Sequence, residues 1–130
     1  MKSGKPPRFR VALPPYAVRP TRNIRPPKNE RGLDSRWERM SIAFRRQNPF
    51  CRFCEQRGRD TLAELVDHIL PRREYPQLTY VWKNCQSLCR HDDGVKQAME
   101  IYARERGLLE ELPLWCADPK SRPERFRPVM

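Results

Sequence analysis

One stretch of this chain, residues 51–96, contains four of the five cysteines and both histidines. Thiolate and imidazole side chains are the usual ligands of zinc, whereas carboxylates suit harder cations such as Mg²⁺. Among the carboxylates of the same stretch, Asp67, Asp92 and Asp93 lie within two positions of a histidine. We therefore expect the chain to fold around this segment, with metal ligation as a source of stability.

The composition leaves little apolar material for a hydrophobic core. The chain has 130 residues, of which 14 are prolines and 33% are charged, and its mean hydropathy is −0.91. A small domain of this kind usually needs disulfides or a metal. The cysteine count of five is odd, and residues 1–5 are hydrophilic rather than signal-like. These features favour a reduced, cytoplasmic protein with a structural zinc ion, and no apolar run reaches the roughly 18 residues of a membrane span.

Positive charge is concentrated at the N-terminus. Residues 1–36 contain ten Lys or Arg residues against two acidic ones, which accounts for +8 of the net charge of +11. Prolines interleaved with these cations disfavour a helix, so residues 1–34 are predicted to form an extended basic arm that follows the phosphates of a nucleic acid. The alternative is a solvated tail that makes no specific contact.

Helices and strands are expected in the order helix, strand, strand, helix. Ser35 and Glu38 form a capping-box pattern, so the first helix should begin near Ser35 and end before Pro49. Short strands are expected within residues 62–70 and over 85–89. The last helix should begin near Asp92 or Asp93 and end at Gly107, with a buried stripe through Val95, Ala98, Met99 and Tyr102. The domains predicted are an arm (1–34), a compact domain (35–107) and a proline-rich C-terminal segment (108–130) that packs back on that domain.

The cysteine spacing predicts one structural zinc site. Cys51-x-x-Cys54 can present two thiolates to a tetrahedral ion, and Cys89 can supply a third. The fourth ligand is either His91 or Asp92, and the other two cysteines, 85 and 116, are expected to be small buried hydrophobic residues.

The pair Asp67 and His68 predicts a second site of different chemistry. Asp67 offers an oxygen ligand beside an imidazole that can accept a proton from water near pH 7. A carboxylate from Asp92 or Asp93, at the start of the last helix, could complete a small Mg²⁺ site. In isolation, an Asp-His pair is also common as an exposed or capping pair.

Taken together, these motifs resemble the HNH endonucleases, in particular small phage and prophage members with a ββα-metal core. The resemblance covers about residues 37–106. It is carried by Cys51-x-x-Cys54, by Val66-Asp67-His68-Ile69-x-Pro71, and by Asn84-x-Gln86-x-Leu88-Cys89 with Lys96-Gln97 downstream. It implies an α+β fold: a small ββα-metal (His-Me finger) core held by structural zinc, with flanking helices and the extended basic arm.

The resemblance also implies a role for each motif residue. His68 matches the general base that activates water, Asp67 matches the carboxylate that binds the divalent cation, and Asn84 matches the asparagine that supports the loop and orients the base. The implied cofactors are a structural Zn²⁺ and a catalytic Mg²⁺ or Mn²⁺. Phosphate contacts are expected from six basic residues: Arg45, Arg46, Arg72, Arg73, Lys83 and Lys96.

The chain departs from the family pattern after Cys89. Family members typically read Leu-Cys-x-x-Cys-His, whereas this chain reads Leu88-Cys89-Arg90-His91-Asp92-Asp93. An alignment with one deletion makes His91 the fourth zinc ligand and Asp92 the replacement for the final histidine. An alignment without a gap makes Asp92 the zinc ligand and Asp93 the replacement. Imidazole is the commoner partner of three thiolates, so His91 is the preferred prediction.

The function predicted is a metal-dependent DNA endonuclease or nickase acting on double-stranded DNA. The alternative is a non-catalytic, zinc-stabilised nucleic-acid-binding module, a degenerate HNH domain in which the altered third position has lost the active metal. A thioredoxin-like redox protein is disfavoured, because no βαβ pattern surrounds the Cys-x-x-Cys. The phage-type resemblance further implies a phage origin, a location in the host cytoplasm, and the DNA-packaging terminase as a candidate partner.

Overall fold

The computed structural model describes residues 28–129, with side chains from Ser35 onward. Most of the predicted basic arm, residues 1–27, lies outside these residues. Helix α1 spans Lys28–Gln47, so the expected start at Ser35 is wrong. Lys28 directly follows a proline pair in the sequence, and proline is compatible with a helix only at its first turn. The predicted end before Pro49 is confirmed.

Two short strands form the sheet, as predicted. Strand β1 (Leu65–His68) pairs antiparallel with β2 (Cys85–Leu88), and His68 lies opposite Cys85 in the register. Helix α2 (Arg52–Gln56) contains the second cysteine of the Cys-x-x-Cys motif. Just before it, Phe50 forms an isolated antiparallel bridge with Leu62. The long loop between β1 and β2 contains two 3-10 turns, Pro76–Leu78 and Trp82–Asn84.

Helix α3 (Arg90–Arg106) follows β2 directly, with Cys89 at its N-cap. It ends at Gly107, which adopts a left-handed φ of 68° and donates to the last carbonyls, so the predicted C-terminus is confirmed. The predicted apolar stripe is wrong in part. Ala98 is exposed, and the buried face contains Asp92, Lys96, Met99 and Ala103.

The core lies between α2, β2, α3 and a short helix α4 (Leu112–Ala117). Leu112, Trp115 and Cys116 from α4 are buried in the same cluster as the cysteines of residues 51–54, so residues after 107 do pack back on the preceding elements. Trp115 also lies edge-on to Tyr102 of α3, with 6.2 Å between ring centroids. No helix among residues 28–129 is long and apolar enough to cross a membrane.

Candidate functional site

Three cysteines and one aspartate converge at the start of α3. The ligand atoms of Cys51, Cys54, Cys89 and Asp92 all lie within 4.8 Å of one another, and the four residues are buried. The sulfurs of Cys54 and Cys89 are 3.9 Å apart, and Asp92 Oδ2 is 3.1 Å and 3.2 Å from the sulfurs of Cys51 and Cys54. A Zn–S bond of about 2.3 Å sets sulfurs roughly 3.8 Å apart in a tetrahedron. The donor set and its spacing therefore fit a zinc ion.

His91, the preferred fourth ligand from the sequence, is exposed and lies outside this cluster. The reason is helix phase. Cys89 is the N-cap of α3, and a residue three positions on lies on the same side of a helix, whereas one two positions on does not. The structure therefore corrects the gapped alignment and brings Asp92, the alternative, to the three thiols.

Arg57 is a partner of the cluster that the sequence did not predict. Its Nη1 and Nη2 donate to Oδ1 and Oδ2 of Asp92 at 3.3 Å and 3.0 Å, and Nη2 also lies 3.2 Å from Cys54 Sγ. Burial alone would raise the pKa of Asp92, but hydrogen bonds from Arg57 and the thiols outweigh it and lower that pKa. Burial raises the pKa of the Cys51 thiol to about 12, so a cation would have to displace its proton.

A second group of polar residues lines an open cleft of about 480 Å³ between α1, β1 and α3. Asp67 and His68 come from β1, and Asp93 and Glu100 come from α3. Asp93, Gln97, Glu100 and Arg104 recur at the spacing of one helical face, a signal that the sequence contained. Glu100, Gln97 and Trp37 were nevertheless missed as cleft residues.

His68 is held by a hydrogen bond and by a stacked ring. Its Nε2 lies 2.9 Å from the carbonyl oxygen of Thr79, and its imidazole stacks on the indole of Trp37 with centroids 4.1 Å apart. A carbonyl can only accept, so Nε2 carries the proton and Nδ1 carries the free electron pair. Burial lowers the pKa of His68, and Arg72 and Lys96 add to this effect, so the ring is neutral near pH 7.

Asp67 is oriented from beneath the cleft. Gln86 Nε2 and Lys96 Nζ both approach its Oδ2, at 2.9 Å and 3.0 Å. Lys96 also donates to the carbonyl oxygen of His68 at 2.8 Å and pairs with Glu100. Burial alone would lower the pKa of Lys96, but Asp67 and Glu100 outweigh it and raise that pKa. The ammonium group thus links both residues of the Asp-His pair.

Asp93 provides the carboxylate at the start of α3 that faces this cleft. Burial raises its pKa to about 6, and the negative charge of Asp67 adds to this effect. Gln97 Nε2 donates to Asp93 Oδ2 at 2.8 Å. Asp67, Asp93 and Glu100 thus place three carboxylates along this cleft. Asp92, also predicted for the catalytic cation, is instead in the cysteine cluster.

Asn84 closes the loop that follows β1. Its Oδ1 accepts from the backbone N–H of Leu70 at 2.9 Å, and its Nδ2 donates to the carbonyl of Leu70 at 3.1 Å. Asn84 is buried, so these bonds hold the end of the first strand to the start of the second. The side chain thus contacts the loop backbone rather than the cleft.

The six predicted phosphate-binding residues divide into four groups by exposure and position. Arg72 and Arg73 are exposed at the cleft, and Arg46 and Lys83 are exposed away from it. Arg45 is half-buried, and its Nη1 donates to the carbonyl of Glu64 at 3.3 Å. Lys96 is 0% exposed and cannot reach a bound phosphate, so its assignment to DNA binding is wrong. It points inward because it lies four residues after Asp92, on the buried face of α3.

Comparisons with known proteins give a family for this chain. A family model for HNH endonucleases matches residues 51–97. Among solved structures, the chain is similar to the HNH endonuclease of the deep-sea thermophilic bacteriophage GVE2, crystallised with a manganese ion. The sequences are 30% identical, the match covers 59% of this chain and 91% of that chain, and the TM-score is 0.48. The chain belongs to the HNH endonuclease family. No curated protein sequence matches it.

Membership of the HNH endonuclease family confirms the relationship predicted from the ordered motifs. The two antiparallel strands, followed by helix α3, confirm the predicted small ββα core, and the cysteine cluster can hold a metal such as zinc. The matched residues include both strands and the first turns of α3. Helix α1 and the C-terminal residues lie outside the matched range.

Proposed function

We propose that this protein is a metal-dependent endonuclease that hydrolyses phosphodiester bonds of double-stranded DNA, with His68 as the general base. The observation that carries the proposal is the 2.9 Å contact of His68 Nε2 with the Thr79 carbonyl, which leaves Nδ1 as the proton acceptor. The lowered pKa of His68 keeps that acceptor free near pH 7. A neutral imidazole beside carboxylates in an open cleft is suited to removing a proton from an attacking water.

The carboxylates of Asp67 and Asp93 would hold the divalent cation. When bound, Mg²⁺ or Mn²⁺ would stabilise the negative charge that develops on the phosphate and on the leaving oxygen. Asp67 is fixed by Gln86 and Lys96 through one oxygen, Oδ2, and the residue lines the cleft. Asn84 would keep the loop beneath the base in place without touching substrate.

Arg72 and Arg73 are the basic residues best placed to contact DNA phosphates, because both are exposed and line the cleft. Contacts to phosphates do not depend on base sequence, so we propose low sequence specificity. We also propose that Cys51, Cys54, Cys89 and Asp92 bind a structural zinc ion. A phage or prophage setting is proposed because the solved relative is a bacteriophage protein.

The decisive experiment compares two histidine variants. Supercoiled plasmid is incubated with Mn²⁺ or Mg²⁺ and with wild-type protein, His68→Ala or His91→Ala. His91 is the other histidine of the chain and is exposed, so it is a matched control. We expect His68→Ala to lose at least about 100-fold in cleavage rate, as general bases typically contribute 10²–10⁴-fold. Equal cleavage by His68→Ala would reject the assignment.

A non-catalytic nucleic-acid-binding module is the second candidate. It is favoured by Asp93, a carboxylate at the position where the family pattern has histidine, since the change alters the ligands available to a catalytic metal. This candidate predicts salt-dependent DNA binding with no cleavage in any divalent cation. A titration that measures both binding and cleavage in one preparation distinguishes the two functions.

A further inference from the structure

We propose that Trp37 positions the imidazole of His68 for proton transfer, so that helix α1 is part of the active site although it lies outside the residues matched by the family model. The inference rests on the proposed role of His68 as general base. It concerns a positioning residue, because Trp37 acts on the substrate through His68.

Two contacts of different kinds hold the imidazole ring. The hydrogen bond to the Thr79 carbonyl lies in the ring plane, and the indole of Trp37 covers one ring face at 4.1 Å with an interplanar angle of 27°. Rotation about the last side-chain bond of histidine is broad and roughly two-fold, so one hydrogen bond alone leaves the ring free to tilt. The stacked indole restricts that tilt at the point where His68 lines the cleft.

Both contacts belong to one packed unit. Thr79 is buried, and its hydroxyl donates to the Pro76 carbonyl at 2.6 Å, so the acceptor for His68 is itself fixed. Helix α1 also contacts the loop between β1 and β2 at two points, one before and one after Trp37 in the sequence. The first is the Arg36 guanidinium, which lies 3.8 Å from the Tyr80 ring centroid.

The second attachment of α1 to this loop is the Phe44–Trp82 pair, with ring centroids 4.8 Å apart. Phe44 is buried, its ring partner is Trp82 rather than His68, and it lies seven residues from Trp37 on α1. A substitution at Phe44 therefore weakens the packing of α1 while leaving the stacked pair chemically intact. This makes Phe44→Leu the matched control for loss of the Trp37 ring.

The expected effect follows from the strength of an aromatic pair. Loss of one aromatic contact can lower a reaction rate by about two- to tenfold. Small misplacement of a reacting group can lower the rate by up to about 100-fold. We expect Trp37→Leu to lower kcat about tenfold with KM changed less than about twofold. Trp37→Phe retains an aromatic face and should stay within about threefold of wild type.

The experiment measures cleavage kinetics of a labelled DNA duplex in saturating Mn²⁺ for wild type, Trp37→Leu, Trp37→Phe, Phe44→Leu and His68→Ala. A second readout, independent of activity, is the long-range ¹H–¹⁵N spectrum of the imidazoles. With two histidines in the chain, a His91→Gln background assigns the His68 signals directly. Wild type should show the Nε2-protonated tautomer and upfield-shifted His68 ring protons, and Trp37→Leu should lose the upfield shift.

Each outcome bears on one of the two claims. Loss of activity in His68→Ala with normal kcat in a folded Trp37→Leu would overturn the positioning role while leaving the general base in place. A higher KM at unchanged kcat would make Trp37 a DNA contact and also overturn it. Full activity in His68→Ala rejects the general base and the catalytic role of Trp37 together. An equal loss of kcat in Phe44→Leu would show that loosened packing of α1 explains the effect, and it would overturn the positioning role of Trp37.

Discussion

Replacing Lys96 by methionine should destabilise the domain by about 3–5 kcal/mol, the usual cost of removing one partner of a buried ion pair. The lysine is 0% exposed, and its ammonium contacts Asp67, Glu100 and the carbonyl of His68. Methionine preserves the packing of the lysine stem, so the loss is mainly electrostatic. The side chains of Asp67 and Glu100 are only 12% and 18% exposed, so water cannot fully replace the missing cation.

Urea denaturation of zinc-loaded protein without added Mn²⁺ measures this difference. Lys83→Met, at an exposed lysine, is the control and should stay within about 0.5 kcal/mol of wild type. Lys96→Met/Glu100→Gln should recover part of the loss, because one of the two unpaired carboxylates is removed, and it keeps the test open should the single variant not fold. A Lys96→Met protein within 1 kcal/mol of wild type would refute the view that this ammonium stabilises the carboxylates.

Further predictions concern the zinc ligands, the loop and one ion pair. His91→Gln should retain zinc in elemental analysis, whereas Asp92→Ala should lose it; the reverse would restore the gapped alignment. Asn84→Ala removes two buried hydrogen bonds to the loop backbone and should cost about 1–3 kcal/mol in urea denaturation, and an unchanged midpoint would count against its structural role. Hydrogen bonding to Arg104 lowers the pKa of Glu74, so this pair stabilises above the unfolded pKa and the benefit is lost as pH falls through the folded pKa. The gap in urea midpoint between wild type and Glu74→Gln should therefore close in acid, and a gap constant with pH would contradict this.

Sequence patterns predicted the parts of the fold that depend on short-range spacing. The strands, the end of α3 at Gly107 and the convergence of Cys51, Cys54 and Cys89 follow from alternation, turn chemistry and ligand pairs. The start of α1 was missed because the Ser35 and Glu38 pattern imitates a helix cap that the chain does not use. Local patterns cannot show that a helix continues through a possible start signal.

Residue roles that depend on burial could not be read from the sequence. A lysine near a nucleic-acid site predicts a phosphate contact, and only the packing of α3 shows that Lys96 is internal. Likewise Trp37 reads as ordinary core from its helical spacing, and its contact with His68 joins residues that are 31 positions apart. No local sequence pattern predicted the contact of Arg57 with the cysteine cluster, because its partner Asp92 is distant in the sequence.

Asp92 and Asp93 are neighbours on α3, yet one faces the cysteine cluster and the other faces the cleft. A single residue step turns a helix by about 100°, so the proposed zinc site sets the rotation at which Asp93 faces the proposed catalytic cation. We therefore expect affinity at the two proposed metal sites to be coupled through helix phase. Loss of zinc would weaken Mn²⁺ binding, and by reciprocity bound Mn²⁺ would tighten the hold on zinc by the same factor. Insertion of one residue between the two aspartates would leave the spacing of Cys89 and Asp92 unchanged but turn Asp93 by about 100° away from the cleft.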